Sequence, residues 1–546
     1  MQDSSKTKTK YAWEKVDALE NHFHNPIVES YLRGDNFPNH LVNTSSTKDA
    51  IDEVAGHEDY PVEWRNQLAD VILKQYASSN KTLDTNSLVF QNIQNLRKST
   101  TVTVCTGQQI HIFLGPLFVI YKIMSCLAHA KEIKKAHPDF EVVPIFWMAT
   151  EDHDFEEISS VKLYNQTYTW DNNKGGAVGR LDPKSLLPLV EEISQRIDDT
   201  PENSKFMQIC RTAYSENSTF SLATRSIIHE MFGHTGLVIL DPDDAILKQK
   251  FRKDIETDIL HNACEDHLKE GISQMKKVGF KAPINTRPIN HFHLSDGQRL
   301  RVETKDREDY SLVNGNSRYT RNEISQLIED SPERFSPNAL LRPLYQQRIL
   351  PNIAYIAGGS EFIYWLELKH LFKESRAFFP KLFIRKSVFF VGSSMNKKLK
   401  DVGLNVDDLF TSEKAYVKRV VDIARSSDEG LSDVAAELKI LFEDLSNLEE
   451  NNPKFKLNNQ FRKAKRVVLN ELENAINSWQ NDTVESDKSL SSLVKIKSKI
   501  YDPNFVQERN EFIINRLLDC HEAAAESHFD TISYFDPKYI IVGSPH

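Results

Sequence analysis

The sequence predicts an α/β protein whose core is a parallel β-sheet. Two β-type runs, Val102–Cys105 and Val142–Ala149, flank a helical pattern from Pro116 to Ala136, and this order is typical of a βαβ unit. A third apolar run, Leu237–Leu240, stops at an acid and a proline, as a buried parallel strand does at its carboxyl end. Because open α/β sheets bind ligands outside the carboxyl ends of their strands, we expect the polar residues after these strands to share one crevice.

Size and composition set the broad class. With 546 residues and 40% hydrophobic residues, the chain is long enough for about two or three domains with real cores. The net charge of -10 argues against a general nucleic-acid binder, although a local basic pocket for a small anion stays open. No apolar run approaches the roughly 18 residues of a membrane helix, so a cytoplasmic protein without a membrane partner is expected. The five scattered cysteines support neither a disulfide framework nor a zinc site.

The segments around the βαβ unit are predicted to support it. Residues 1–100 are interpreted as mostly helical scaffold. Residues 159–235 and 280–335 are interpreted as connecting subdomains, the first with a glycine-rich turn followed by helices and the second with short strands and turns. The glycine-rich stretch Lys174–Arg180 has no GxGxxG spacing, which favours a hairpin or loop over a phosphate cradle. The charged, periodic stretch Ala245–Lys276 predicts helix.

Polar groups gather again after Phe335. A helix is predicted to begin after Ser336 or Asn338, with Arg342 and Gln346 on one face. The apolar run Ile353–Ile356 predicts another strand.

A glycine turn follows that strand. Ser360 is predicted to cap a helix over Glu361–Phe372, and Gly358 and Gly359 precede it. A strand, a glycine pair and a helix N-terminus together favour anion binding. The stretch Lys381–Val391 is predicted to be a single strand that completes the sheet.

Beyond Gly392 the pattern indicates a helical hairpin. One seam repeats at heptad spacing through Leu431, Val434, Leu438, Leu441, Leu445 and Leu448, and a second runs through Phe461, Lys465, Val468, Leu472, Ala475 and Trp479. The break Asn451–Pro453 between them predicts an antiparallel arrangement, whose apolar surface pairs either with another chain or within this one. After it come a predicted helix, Asn504–Glu526, and an apolar run, Tyr539–Val542, that is expected to return to a core.

Candidate functional residues follow both strands of the βαβ unit. The first strand leads into Thr106, Gly107, Gln108 and Gln109, and the second into Glu151, Asp152, His153 and Asp154. Glycine permits a sharp turn, and the amides offer donors and acceptors. Gly115 precedes the helix start, and Lys122, nearly two turns into that helix, is within reach of a phosphate or carboxylate.

Alternatives stay open for both clusters. The glutamines also fit a capped turn with solvated amides. The acids and the histidine fit a divalent metal, hydrogen bonds to a ribose or amine, a proton relay, or a plain helix cap. The motifs of zinc hydrolases, serine hydrolases and P-loop proteins are absent from the sequence.

Several blocks together resemble a known family. The segments TGQQ, FLGPLF, PIFWMATEDHDFEE, PNALLRPLYQ and LPNIAYIAGGSEFIYWLEL are similar to the cysteine-adding enzymes of bacillithiol biosynthesis, the BshC family, and the resemblance covers nearly the whole chain. It implies a Rossmann-like core related to class I aminoacyl-tRNA synthetases and nucleotidyltransferases. On this basis we expect a core over residues 1–392, a coiled-coil domain over 393–500 that forms a homodimer, and a tail over 501–546 that returns to the core.

The resemblance also implies an activity. The protein is expected to join L-cysteine to the amine of glucosaminyl-malate, with an adenine nucleotide (ATP or ADP), either alone or with Mg²⁺, and no zinc. Activation of the cysteine carboxylate, as an adenylate, needs positioning and charge stabilisation more than a nucleophilic side chain. The catalytic residues are therefore predicted to be Gln108, Gln109, Lys122, Asp152 and His153. Substrate contacts are predicted from Thr106, Gly107, Gly115, Asp154, Arg342, Gly358, Gly359 and Ser360.

The sequence departs from class I synthetases after the first strand. No HxGH motif stands there, as Gln109, His111 and Gly115 show, and the pair Lys386–Ser387 is too short to count as a KMSKS-type loop. Two other functions therefore stay open: a nucleotide or sugar transferase on the same core, and a non-catalytic coiled-coil scaffold that binds a metabolite.

Overall fold

The structure, a computed structural model, divides into two compact units. It describes residues 11–21, 23–34, 37–79, 83–163, 166–172, 175–295, 297–315, 317–424, 437–445, 447, 459–502, 505–516 and 539–545. The larger unit comprises residues 24–387 and 508–539, and the smaller unit comprises residues 1–23, 388–507 and 540–546. None of the helices in the described ranges combines the length and the hydropathy that crossing a membrane requires.

The strands and helices are numbered in chain order. The strands are β1 (Tyr11–Asp17), β2 (Thr101–Gln108), β3 (Glu141–Met148), β4 (Ser160–Leu163), β5 (Gln166–Thr169), β6 (Val238–Leu240), β7 (His291–Ser295), β8 (Gln298–Thr304), β9 (Asp309–Leu312), β10 (Arg318–Thr320), β11 (Phe335–Pro337), β12 (Asn352–Ala357), β13 (Lys381–Ile384), β14 (Val388–Phe390), β15 (Tyr501–Asp502), β16 (Phe505–Val506) and β17 (Tyr539–Pro545). The helices are α1 (Pro26–Arg33), α2 (Thr47–Ala55), α3 (Val62–Ser78), α4 (Leu88–Asn95), α5 (Leu117–Ala136), α6 (Phe155–Ile158), α7 (Leu187–Ser194), α8 (Pro201–Glu216), α9 (Phe220–Phe232), α10 (Ala245–His261), α11 (Ala263–Lys277), α12 (Arg321–Asp330), α13 (Arg342–Ile349), α14 (Gly359–Trp365), α15 (Lys369–Glu374), α16 (Ser393–Asp401), α17 (Glu413–Ala424), α18 (437–445), α19 (Asn459–Ser486), α20 (Lys488–Ile500) and α21 (Gln507–Asn510).

A five-stranded parallel sheet forms the core of the larger unit and confirms the predicted fold class. Its strand order is β13-β12-β2-β3-β6, and every neighbouring pair is parallel. The strands are almost entirely buried, as their continuous apolar runs predict for a sheet covered on both faces. The predicted βαβ unit is present as β2, α5 and β3, with Pro116 as the residue before the helix. The carboxyl ends of β12, β2 and β3 therefore lie side by side.

The connecting subdomains contain the predicted mixture of short elements. Residues 159–235 form the β4–β5 hairpin and helices α7 to α9. The predicted helix over Ala245–Lys276 is two helices, because Asn262 adopts a left-handed conformation with φ 54° between them. Strands β7 to β11 form an antiparallel sheet of order β10-β9-β8-β7-β11. In the glycine-rich loop, Gly176 has φ 97° and lies against the backbone of Gly297, where a Cβ would collide; Lys174 lies outside the described residues.

Two predictions about the region after β12 are wrong. The stretch Lys381–Val391 is not one strand: β13 ends at Ile384, and β14 pairs with β17 in the smaller unit. Directly after β13, the buried Arg385 guanidinium bonds to the Glu508 carboxylate at 2.5 and 2.8 Å. The predicted helix Asn504–Glu526 is replaced over residues 505–516 by β16, α21 and a short 3₁₀ turn; the rest of it lies outside the described residues.

The smaller unit has its own three-stranded sheet and hydrophobic core. The sheet has the order β1-β17-β14, and its core gathers apolar side chains from both ends of the chain, among them Val16, Phe389, Leu493 and Val542. The grouping differs from the predicted division at residue 392, because the N-terminal strand and the last strand bury their apolar faces here. From Ile540 onwards β17 belongs to the smaller unit, whereas residues 508–539 group with the larger unit.

The helical arm is described in part. Helices α18 and α19 are neighbours, since the Lys465 ammonium donates to the Phe442 carbonyl at 3.2 Å. Of the predicted seam, Leu431, Val434, Leu448 and the break Asn451–Pro453 lie outside the described residues. Pairing of this arm with a second chain stays a prediction.

Candidate active site

Two adjoining cavities open at the carboxyl ends of β2, β3 and β12. They hold about 580 and 620 Å³ of empty space. They share the walls Trp147, Ala149, Asp152, Ala339 and Arg342. One cavity extends towards Phe292 and Arg299 on the antiparallel sheet, and the other extends towards Gln108, Gln109, Tyr355, Glu361 and Tyr364. We call the two together the crevice.

Asp152 lies at the centre of a hydrogen-bond network in the crevice. Its Oδ2 accepts a hydrogen bond from Gln109 Nε2 at 3.1 Å, and its Oδ1 accepts one from the His153 backbone N–H at 2.8 Å. The Arg299 guanidinium lies 3.6 Å from Oδ1. Residues predicted from the ends of two different strands, Gln109 and Asp152, are therefore brought into direct contact.

The charge state of Asp152 follows from these neighbours. Burial by itself raises the pKa of this carboxyl, but the hydrogen bonds from His153 and Gln109 and the charges of Arg299 and Arg342 outweigh burial and hold the pKa well below its usual range. Asp152 is therefore a carboxylate at neutral pH, an acceptor for an ammonium or hydroxyl group rather than a proton donor.

Arg342 supplies the positive charge of the crevice. Burial lowers the pKa of its guanidinium, but the nearby Tyr364, Asp152, Tyr355 and Glu361 raise it above the ordinary value, so the group stays charged. Among the described residues no carboxylate lies within the 4.0 Å of an ion pair from it. By contrast, Arg299 is held by the His153 ring at 2.9 Å and by the Pro337 carbonyl at 3.0 Å. The guanidinium of Arg342 is thus the cation placed to meet an anionic ligand.

Lys122 lies behind the crevice wall rather than in it. Its ammonium donates to the Gly107 carbonyl at 2.5 Å, to Glu361 Oε2 at 2.6 Å and to Gln108 Oε1 at 3.3 Å. The Lys122 side chain is 2% exposed, and that of Glu361 is 16% exposed. With three acceptors in place, Lys122 orients Glu361 and Gln108, and the predicted direct contact with anionic oxygens has no geometric support.

Several predicted contact residues have structural partners. Thr106 is buried and its hydroxyl donates to the Ile356 carbonyl at 2.9 Å, which ties β2 to β12. Asp154 caps α6, since its Oδ1 accepts the Glu157 N–H at 3.2 Å; the helix-cap alternative is correct for this acid. His153 is largely exposed and meets Arg299 from the outside.

The glycine turn after β12 differs from its prediction. Gly358, not Ser360, is the N-cap of α14. The Gly358 N–H is taken by Glu361 Oε2 at 3.1 Å, because an acid in the first turn satisfies the free amides there. A carboxylate of the protein thus faces this turn at Gly358, and Gly359 and Ser360 do not line the crevice.

The loop from β2 to α5 is strained. Phe113 and Leu114 have φ values of 52° and 64°, a region that costs side-chain-bearing residues about 1–3 kcal/mol each. The Tyr214 hydroxyl accepts the Phe113 N–H at 3.0 Å and holds the loop. Gly115, at φ 73°, packs against His111, where a Cβ would collide. Burial lowers the pKa of His111 to about 4. Gly115 therefore shapes the loop and does not line the crevice.

The structure adds lining residues that the sequence did not single out. They are Trp147, Arg299, Tyr355, Glu361 and Tyr364. Glu361 stood next to the predicted glycine turn, and its spacing of three from the N-cap was the available signal. Arg299 and Tyr355 carried no signal, since Arg299 arrives from a distant antiparallel sheet and Tyr355 sits inside an apolar strand.

Another cavity, of about 1460 Å³, lies against the antiparallel sheet. Its lining mixes cations and acids, namely Arg287, Arg301, Lys305, Arg318, Glu303, Asp306 and Asp309. Most of these side chains are exposed, and Arg301 is paired with Glu303 at 2.6 Å. The crevice is smaller than this cavity. Of the two, only the crevice combines buried charged groups with the carboxyl ends of the parallel strands, so we assign it as the candidate active site.

Among the described residues no group of three or more histidine, cysteine, aspartate or glutamate side chains is arranged to hold a metal ion. The four described cysteines, Cys105, Cys126, Cys210 and Cys264, are buried free thiols. Burial raises the pKa of the Cys126 thiol to about 12, so this group is not a nucleophile at neutral pH.

Comparison with known proteins gives one consistent result. The family model described as "Bacillithiol biosynthesis BshC, N-terminal Rossmann-like domain" matches residues 14–386. The Flavobacterium psychrophilum protein named "Putative cysteine ligase BshC" is 32% identical over 488 residues, which cover 84% of this chain and 88% of that protein. The protein of the same name from Christiangramia forsetii is 34% identical over 411 residues, with 74% and 75% covered.

A solved structure also aligns with the chain. It is titled "putative arginyl t-RNA synthetase", comes from Campylobacter jejuni, and covers 85% of this chain and 97% of that chain at 10% identity. Its TM-score is 0.23, too low to support an argument. The Rossmann-like fold is confirmed by the family match, and the relation to class I synthetases stays a prediction.

Proposed function

This chain belongs to the BshC family of bacillithiol biosynthesis, and from that premise we propose that it is a ligase that joins L-cysteine to the amine of glucosaminyl-malate. The observation that carries the proposal is the pairing of charges in the crevice. The Asp152 carboxylate and the Arg342 guanidinium line the same cavities, so one ligand that carries an amine or hydroxyl group and a carboxylate can meet both.

The roles of the lining residues follow from their partners. Asp152, fixed by Gln109 and Arg299, accepts hydrogen bonds from a substrate ammonium or hydroxyl group. Arg342 binds a malate carboxylate. Gln108, whose Oε1 is turned to Lys122, presents its amide N–H groups to oxygen atoms of the reacting carboxyl. Amide formation needs such fixed positions more than a protein nucleophile.

An adenine nucleotide with Mg²⁺ is part of the proposal. When bound, ATP supplies the phosphoryl or adenylyl group that activates the cysteine carboxyl. The cavity that extends towards Gln108 fits such a ligand chemically, because the amide of Gln108 offers donors for phosphate oxygens. Mg²⁺ is commonly held by substrate phosphates with one or two carboxylates, and a dedicated protein cage is not required.

Reconstitution tests the activity. Purified protein with glucosaminyl-malate, cysteine, ATP and Mg²⁺ is expected to give a product heavier by one cysteinyl residue, followed by mass spectrometry, together with one nucleotide cleaved per product. AMP indicates an adenylate and ADP an acyl phosphate. Reactions without cysteine, and with serine in its place, are the controls. Nucleotide cleavage or sugar modification at an undiminished rate without cysteine would contradict the ligase and favour a transferase.

We also propose that the helical arm forms a homodimer. Its support is an exposed apolar surface on α18 and α19, where Ile440, Leu441, Val467 and Val468 are 57, 59, 49 and 43% exposed. Leu441 and Val468 belong to the two predicted seams. Such residues are favoured where helices pair.

Charges placed in this surface test the dimer. The double variant Leu441→Glu/Val468→Glu is expected to weaken dimerisation at least about 100-fold, since burying two unpaired charges costs well over 1.4 kcal/mol each. Analytical ultracentrifugation at micromolar concentrations measures the effect. Val62→Glu is the control, because Val62 is equally exposed at 51% but lies on α3. An unchanged dimer in the double variant, or a monomeric wild-type protein, would refute the proposal.

A further inference from the structure

We propose that Glu361 is a catalytic residue, the carboxylate that takes a proton from the attacking amine. The inference rests on the proposed ligase function and deepens it. An amine attacks a carbonyl carbon only with its lone pair free, whereas a sugar amine carries a proton near neutral pH. The crevice must therefore hold a proton acceptor beside the amine.

The hydrogen bonds of Glu361 leave one acceptor position open. Its Oε2 receives hydrogen bonds from Lys122 Nζ at 2.6 Å and from the Gly358 N–H at 3.1 Å. Its Oε1 receives one hydrogen bond, from the Tyr355 hydroxyl at 2.6 Å. Since each carboxylate oxygen has about two acceptor sites, Oε2 is filled and Oε1 has room for one more donor. Glu361 lines the cavity that also contains Asp152 and Arg342.

The other acids near the crevice are less suited to this role. Asp152 receives hydrogen bonds from Gln109 and the His153 N–H, and its pKa is held low by its hydrogen bonds and neighbouring arginines against the effect of burial, so it holds a donor but is a weak base. Glu151 forms a buried ion pair with Lys248. Glu157, next to the Asp154 cap, is exposed and does not line either cavity. Glu361 is thus the lining carboxylate best suited to take a proton.

Lys122 is the positioning residue for this group. It is fully enclosed by the Gly107 carbonyl, Gln108 and Glu361, so its charge fixes the carboxylate without reaching substrate. The charged and titratable groups around Glu361 are Lys122 on α5, Arg342 on α13, Tyr355 on β12, Tyr364 on α14, Cys105 on β2 and Arg385 directly after β13. Burial raises the pKa of Tyr355 far above its usual value, so the phenol stays protonated and donates to Glu361.

The proton and bond changes balance as follows. One N–H bond of the substrate ammonium breaks, its electron pair stays on nitrogen, and an O–H bond forms at Glu361. The amine then attacks the activated cysteine carboxyl, an acyl phosphate or acyl adenylate. The C–N bond forms, the bond from that carbon to the phosphate oxygen breaks, and the phosphate leaves with the electron pair. The second proton of the nitrogen goes to solvent, as does the proton held by Glu361.

A variant that lacks both charges distinguishes proton transfer by Glu361 from the neutralisation of the Lys122 charge. Glu361→Gln leaves Lys122 buried without its partner, so the main test is Glu361→Gln/Lys122→Met, which removes both charges. The double variant is expected to keep its melting temperature within a few degrees and to lose kcat/KM for glucosaminyl-malate by about 10²-fold or more, the usual contribution of a general base. Activity within threefold of wild type in the double variant overturns the proposal.

Two further measurements keep the outcomes distinct. If the double variant does not fold, Glu361→Asp retains the charge and withdraws the carboxylate by one methylene; kcat is expected to fall at least tenfold with KM for cysteine unchanged, and an unchanged kcat overturns the proposal. The control is Asp254→Asn, which breaks the ion pair with Arg348 away from Glu361 and is expected to leave kcat within about twofold of wild type.

Calorimetry distinguishes failure of this inference from failure of the ligase itself. Wild-type protein is expected to bind glucosaminyl-malate more tightly than its N-acetyl derivative, and the double variant is expected to lose that preference. If wild type binds neither compound, the proposed function fails. If wild type binds the amine and the double variant shows the same preference, only the role of Glu361 fails.

Discussion

Asp152→Asn is expected to lower kcat/KM for product formation about 100-fold while the protein stays folded. The substitution removes the carboxylate that Gln109 and Arg299 hold in the crevice, and a hydrogen bond to a charged group contributes about 1.5–3 kcal/mol. His153→Ala is expected to cost less, about fivefold, because this ring meets Arg299 from the exposed side. Steady-state assays of cysteinyl product measure both effects.

A matched control exists for Asp152. Asp254→Asn breaks a similar half-buried carboxylate–arginine pair, with Arg348 at 3.0 Å, outside the crevice. It is expected to lower stability but to leave kcat/KM within about twofold. If Asp152→Asn retains wild-type activity, the assignment of the crevice as the active site is wrong.

Asp152→Asn is also expected to have a pH-dependent effect on stability. The folded pKa of Asp152 is depressed, since its hydrogen bonds and neighbouring arginines outweigh burial. A depressed carboxylate pKa stabilises the fold above the unfolded pKa of about 3.9 and loses that contribution as pH falls through the folded value. Urea unfolding is therefore expected to show a deficit for Asp152→Asn at pH 7 that shrinks below about pH 4.

Arg342→Lys is expected to raise KM for glucosaminyl-malate about 10- to 100-fold with a smaller change in kcat. Lysine keeps the charge but loses the planar, two-pronged donor set that matches a carboxylate. Among the described residues Arg342 has no carboxylate within ion-pair distance, so its loss affects ligand binding more than the fold.

A truncated substrate and a neighbouring arginine sharpen this test. With a glucosaminide that lacks the malate carboxylates, wild type and Arg342→Lys are expected to have similar KM values. Arg348→Lys is the control, since Arg348 lies on the same helix but is paired with Asp59 and Asp254. If Arg342→Lys raises KM equally for both substrates, Arg342 does not bind the malate carboxylates.

Local sequence pattern was sufficient to predict the βαβ core. The period and composition of the runs that became β2, α5 and β3 are local properties, and a buried parallel strand is apolar along its length whatever its neighbours are. Two polar clusters that directly follow such strands must come out at one edge of the sheet. This is why Gln109 and Asp152 were predicted to share a site.

Local sequence pattern did not predict which charged side chains pair with each other. Lys122 was predicted to meet substrate, yet it is enclosed by groups from β2 and α14, because a buried ammonium needs acceptors on all sides. The distance of 239 residues between Lys122 and Glu361 leaves no periodic trace in the sequence. The pairing of Arg385 with Glu508, which are 123 residues apart, was missed for the same reason.

The sequence by itself determined the βαβ core, the two polar strand ends and the family resemblance, since each depends on residues that are close along the chain. Only the tertiary structure decided which charges are satisfied and which are left for a ligand. It enclosed Lys122 between Gly107, Gln108 and Glu361, brought Arg299 to Asp152 from a distant sheet, and placed β1 beside β17 in the sheet of the smaller unit. These outcomes depend on burial and on pairing between residues that are far apart in the sequence, because the free-energy cost of a buried charge depends on whether the folded chain brings a partner to it.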